Sequence, residues 1–134
     1  MTQEKIKEIA ELLECGNQCF IHIKNKTIEY YPDPNDFISD LEPWQDVIDK
    51  VESNYDKYIK ISKMDSNKSF QVMEKFIEFV SDSNLRNELE KALSRPKPFR
   101  NFKYIIEESE YRKAWFDFRS IANTDWVKKQ FEEH

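Results

Sequence analysis

Arg95, Lys97, Arg100, Lys103, Arg112, Trp115 and Arg119 form the chain's densest run of cations and rings, with Lys113, Phe99, Phe102 and Phe118 interleaved. Such a mixture suits two ligands. Single-stranded RNA offers phosphates to cations and flat bases to rings. An acidic protein offers carboxylates, which arginine's planar fork takes through two parallel hydrogen bonds while its stem packs on an aromatic. Arg119 follows Trp115 by one helical turn, so the two can stack as an interface anchor, and Arg100 is the second guanidinium chosen for that patch. Packing offers a competing account. Phe99, Phe102 and Ile106 share one helical face, which sends the rings into a core and leaves the cations at its edge or paired with acidic residues.

Cys15, Cys19 and His22 have the spacing C-x3-C-x2-H, which is zinc-like in ligand type but lacks a nominated fourth ligand; the other histidine is His134. No metal or cofactor is expected. Cys15 ends a helix and Cys19 begins a strand, so both read as small, reduced hydrophobes. His22 is expected to face Glu29 across a hairpin, a pairing that could orient a general base; a small enzyme using His22 therefore stays open as an alternative. Asp33, Asn35, Asp36 and Asp40 crowd one loop, but the calcium-loop glycine and terminal glutamate are missing, and turn chemistry accounts for them. The single glycine, Gly16, excludes every phosphate-cradling loop that needs several, and the nucleophile elbow with them.

The elements that position these residues follow from periodicity. Ile6, Ile9, Leu12 and Leu13 predict a helix from about residue 3 to 15, stopped at Gly16. Cys19–Lys24 and Thr27–Tyr31 predict a hairpin across Asn25-Lys26, with Ile23 opposite Ile28, Ile21 opposite Tyr30 and His22 opposite Glu29. Glu42-Pro43 opens a helix bearing Trp44, Val47, Ile48 and Val51, and Tyr55–Ser62 reads as a third strand. Ser66 is the expected cap of a helix with Phe70, Met73, Phe76 and Ile77; a break at 81–84 precedes Leu85, Leu89 and Leu93. Arg95-Pro96-Lys97-Pro98 is a non-helical joint before the Phe99 helix and the long helix through Tyr111, Trp115, Phe118, Ala122 and Trp126.

At 134 residues, with 39% hydrophobic and 14% aromatic residues, the chain can build one core despite 35% charged residues, and a single domain over 1–134 is expected. The net charge of −5 gives no overall attraction to nucleic acid or anionic lipid. Charge is nonetheless uneven, with an acidic excess over residues 1–61 and a basic excess over 94–119. No apolar run approaches the roughly 20 residues that span a bilayer, and the start does not read as a secretion signal, so a cytoplasmic protein without membrane contact is expected.

Pro98-Phe99-Arg100-Asn101-Phe102-Lys103, then Trp115-Phe116-Asp117-Phe118-Arg119, then Trp126, resemble a bacterial family known as uncharacterised protein family 0158. Its pattern is roughly Phe-Arg-x-Phe-Lys, a short spacer, Trp-x-x-Phe-Arg and a final Trp. The likeness extends more weakly to the Cys19–Tyr31 hairpin, Tyr58–Met64, and the helix with Met73, Phe76 and Ile77. Two departures stand out: members usually carry glycine in the hairpin turn, here Asn25-Lys26, and near the Phe-Arg motif, here Arg95-Pro96-Lys97-Pro98. The resemblance implies a small α+β bacterial domain and brings no activity with it. The resulting expectation is an α+β fold in which a small three-stranded antiparallel sheet packs against a mostly helical C-terminal cluster. Its function is expected to be non-enzymatic protein binding through the Phe99 to Arg119 region, with an RNA-binding accessory domain as the alternative.

Overall fold

The computed structural model describes residues 1–33 and 40–133. They form six helices and a three-stranded antiparallel sheet, an α+β fold, arranged in two compact units: Met1–Lys63 with Asn123–His134, and Met64–Ala122.

In the first unit, α1 (Gln3–Glu14) begins where the Thr2 hydroxyl accepts from the Lys5 amide at 3.2 Å. Ile6, Ile9, Ala10 and Leu13 form its buried stripe. It ends because Gly16 takes φ 88°, a left-handed conformation that costs glycine nothing. Strands β1 (Asn17–His22), β2 (Ile28–Pro32) and β3 (Tyr58–Ile61) follow in the order β2-β1-β3. Both faces of the sheet are covered. Cys19, Ile21 and Ile61 pack with the α1 stripe, whereas Phe20 and Tyr31 pack with Ile48 and Val51 of α2 (Gln45–Ser53). This two-sided burial is why consecutive residues Cys19, Phe20 and Ile21 are all interior.

The hairpin register differs from the expectation by two residues. Ile21 pairs with Ile28, Phe20 with Glu29 and Cys19 with Tyr30, and Ile23 lies outside the strand, 45% exposed. Backbone and side-chain hydrogen bonds together close a loop longer than Asn25-Lys26. The His22 amide donates to the Thr27 carbonyl, Lys26 N–H reaches back to the His22 carbonyl, and Asn25 Oδ1 accepts from both the amide and the hydroxyl of Thr27. Lys26 sits at φ 60°. A slip of two preserves which residues share a face, so the apolar pattern alone does not distinguish the two registers. Tyr55–Lys57 forms a 3₁₀ turn instead of the start of β3.

In the second unit, α3 (Ser66–Ile77) is capped by Asp65, which accepts from Lys68 N at 2.8 Å; the expected cap, Ser66, is the first helical residue. Asp82 caps α4 (Ser83–Leu93) by accepting from the Asn84 and Leu85 amides. The joint expected at 95–98 leads into α5 (Pro98–Glu107), with Lys97 at φ 57°. The first turns of α6 (Arg112–Glu132) complete this unit, and its later turns belong to the first. The core joins Val72, Phe76, Ile77 and Val80 to Leu89, Leu93, Phe102, Ile106 and Trp115.

Candidate functional site: the cationic face of the fifth helix

α5 is divided lengthwise by its apolar spacing. Phe102 and Ile106 are fully buried and Phe99 is half-buried, which fixes the inward side. Arg100, Lys103, Tyr104 and Glu107 therefore fall on the outer side, and all four are exposed. Lys97, Arg100 and Lys103 follow one another at three-residue steps, and Tyr104 lies one turn beyond Arg100. The joint that launches this face is held by Asn101 of α5: its Nδ2 donates to the Pro96 carbonyl at 3.0 Å, and its backbone N–H to the Lys97 carbonyl at 3.1 Å. Lys103 approaches Glu107 at 4.0 Å, a loose exposed pair. Among the described residues, Arg95, Lys97 and Arg100 enter no ion pair, which leaves three exposed cations within six positions.

The rings nominated beside these cations are structural. Phe102 meets Trp115 edge-on, with centroids 4.9 Å apart; Trp115 touches Phe76 at 5.2 Å and Phe76 reaches Phe118 at 5.3 Å. Trp115 is only 7% exposed, so its ring supports the fold from inside and offers little to a ligand. Arg112, which is exposed, and Arg119, which is half-buried, flank that inward ring on α6. Phe102, which meets Trp115, lies on the side of α5 opposite Arg100, so of the seven nominated residues Arg95, Lys97, Arg100 and Lys103 share the exposed stretch at α5, Trp115 is internal support, and Arg112 and Arg119 belong to α6. The series of rings ends at Phe79, 65% exposed and 5.7 Å from Phe118. Tyr104, 69% exposed, is the ring that accompanies the cations. Neither was nominated from sequence, although Tyr104 is legible there as the aromatic outside the Phe99-Phe102-Ile106 stripe. Just before α6 the Tyr111 hydroxyl accepts from the Ser81 amide at 3.2 Å and shares a hydrogen bond with the Ser81 hydroxyl at 2.8 Å, contacts that hold its phenol below the usual range.

The other constellations do not assemble. Cys19 and His22 lie three apart on one strand and so point to opposite faces, while Cys15 is exposed at the end of α1. Burial pushes the Cys19 thiol up to about 12, with the charge of Glu8 adding to the effect. The expected pairing of His22 with Glu29 is replaced. His22 stands opposite Tyr58, edge-on to its ring, and its Nδ1 accepts from the Lys24 and Asn25 amides. Glu29 instead binds Lys50 of α2 at 2.7 Å. In the acidic loop, Asp40 accepts from Glu42 N at 2.9 Å, while Asn35 and Asp36 lie outside the described residues, as does His134. Among the described residues no group of three His, Cys, Asp or Glu side chains could hold a metal ion, and no helix is long and apolar enough to cross a membrane.

The fold and this surface define a small α+β protein whose sequence motif is partly scaffold and partly exposed charge. The chain belongs to the Uncharacterised protein family (UPF0158), whose model matches residues 25–133. No curated protein and no solved structure matches it. The residues that carry the likeness have separable physical roles: Phe102, Trp115 and Phe118 build the second unit's core, and Arg100 and Lys103 stay exposed. The final Trp126 works in the first unit, where its Nε1 donates to the Ser62 carbonyl at 2.8 Å, just beyond β3. Gln130 adds a reciprocal pair to the Ser62 amide and carbonyl. At the two places where the sequence departs from the glycines of the resemblance, Lys26 and Lys97 are the non-glycine residues with positive φ among the described residues, a conformation that favours glycine.

Proposed function

We propose that the protein is a cytoplasmic, non-enzymatic interaction module of bacterial origin that binds carboxylates of a protein partner through Arg95, Lys97, Arg100 and Lys103. The observation that carries this reading is the exposed row of cations at the start of α5, of which Arg95, Lys97 and Arg100 enter no ion pair among the described residues. Placing cations on a rigid helix preorganises them, because the buried Phe102 and Ile106 fix the helix's rotation. Tyr104 adds an amphipathic ring of the kind enriched at interface centres. A protein ligand is favoured over RNA because the nominated rings Phe102 and Trp115 are enclosed and leave Tyr104 as the stacking surface beside the cations, while carboxylate recognition needs only the guanidinium fork. Two free thiols accord with a reducing compartment.

The test is affinity capture from cell extract with the full chain and with Arg95→Ala/Arg100→Ala, each with and without nuclease. A captured protein that survives nuclease and is lost with the double variant supports the reading. Equal capture by a variant whose circular dichroism is unchanged overturns it, and loss of capture on nuclease treatment assigns the surface to nucleic acid. Arg100→Lys is informative as well, since it keeps the charge but removes the two-pronged hydrogen bonding.

A further inference from the structure

The second unit holds an open groove of about 480 Å³ between α3 and α4, on residues the cationic face does not use. α3 contributes Phe70, Glu74, Ile77 and Glu78, and α4 contributes Arg86, Glu90 and Leu93. Both helices present positions i, i+4 and i+7, so each wall is a single stripe running for two turns. Phe70, half-buried, is the apolar surface the groove offers; Ile77 and Leu93, 4% and 9% exposed, back it from the core. The rim is charged and unbalanced. Arg86 approaches Glu90 at 3.6 Å, whereas Glu74 and Glu78 enter no ion pair among the described residues. Two like charges one turn apart repel each other on an isolated helix, and a cation placed between them relieves that repulsion.

We propose that this groove binds a basic amphipathic helical segment of a protein partner, with an aliphatic side chain on Phe70 and lysine or arginine side chains against Glu74 and Glu78. Charge complementarity selects the occupant: an acidic helix would bring its carboxylates against the same two glutamates. The stripe from Phe70 to Glu78 is about 12 Å long at 1.5 Å per residue, enough to seat two turns of a helix. This proposal is independent of the α5 reading, because no residue is shared between the two surfaces.

The probe is a labelled synthetic 14-residue helix with leucine at i, i+4 and i+7 and flanking lysines, titrated into the full chain by fluorescence anisotropy. A glutamate-for-lysine analogue serves as the counter-probe. Glu74→Lys/Glu78→Lys is expected to weaken binding of the lysine helix by at least about tenfold. Glu11→Lys/Glu133→Lys, exposed in the first unit and equal in net charge, should leave it nearly unchanged. Equal weakening by the two double variants would show adsorption to a negative chain and overturn the proposal, as would tight binding of the glutamate helix. Self-association of the chain that disappears with Glu74→Lys/Glu78→Lys would also overturn it, by making a second copy the occupant. Phe70→Ala guards against a purely electrostatic effect: it keeps every charge and should still weaken the lysine helix.

Discussion

Replacing the two left-handed lysines by glycine should stabilise the protein even though each replacement removes a side chain. Lys26 at φ 60° and Lys97 at φ 57° hold conformations in which Cβ crowds the following carbonyl, a cost of about 1–2 kcal/mol for an ordinary L-residue. Glycine avoids that crowding but makes the unfolded chain more flexible, which returns about 0.5–1 kcal/mol of the gain. At Lys26 a further small loss comes from the exposed hydrogen bond its Nζ donates to the Ile23 carbonyl. The net expectation is stabilisation of up to about 1.5 kcal/mol for Lys97→Gly and somewhat less for Lys26→Gly, or roughly 4–8 °C per kcal/mol in a unit of this size. Because the two positions belong to different units, the effects should add. The assay is thermal denaturation followed by circular dichroism for both glycine variants, the double variant, and Lys26→Ala and Lys97→Ala. Alanine removes the same charge but keeps Cβ, so the glycine-minus-alanine difference isolates the backbone conformation. If alanine equals or exceeds glycine at both positions, the left-handed geometry is not what these sites resist and the reasoning fails.

Further perturbations separate support from surface. Phe102→Ala removes a fully buried ring from the second unit's core and should cost about 3–5 kcal/mol, whereas Arg100→Ala should stay within about 0.5 kcal/mol in the same urea titration. Removing the α4 cap with Asp82→Ala leaves the Asn84 and Leu85 amides without their acceptor and should cost about 0.5–2 kcal/mol, read by the same titration. A thiol reagent at pH 8 should modify Cys15 in the native protein and reach Cys19 only on unfolding, because the latter is enclosed and its thiol lies near 12. The same shift ties stability to pH. The folded state disfavours the Cys19 thiolate, so its contribution is intact below about 9 and is lost as pH rises toward about 12, at on the order of 1.4 kcal/mol per pH unit. Cys19→Val, which cannot ionise, should show a correspondingly shallower alkaline decline in urea midpoint.

Local periodicity made most elements legible. The spacing of Ile6, Ile9 and Leu13, the stop at Gly16, the break between α3 and α4, and the Pro96-Pro98 joint are all consequences of side-chain pattern and backbone permission within a few residues. The hairpin register was not legible. It depends on Asn25 and His22 bonding the loop backbone, and the shift of two residues leaves the inward and outward sets unchanged. Likewise the Phe99-Phe102-Ile106 stripe shows which side of α5 is apolar, and hence that Arg100 and Tyr104 lie across from it.

Sequence by itself determined most of the segments that become helix or strand and which faces are apolar, because those depend on near neighbours and on the 2.0 and 3.6 residue periods. Only the tertiary structure decided where the rings and charges end up. Trp115 became a support rather than a contact because Phe76 and Phe102, distant along the chain, close over it. Glu29 found Lys50 instead of His22 because α2 packs on the second face of the sheet. Glu74 and Glu78 came to border a groove beside Phe70 because α4 supplies its other wall. Burial and charge pairing are sums over neighbours remote in sequence, so no local pattern could specify them.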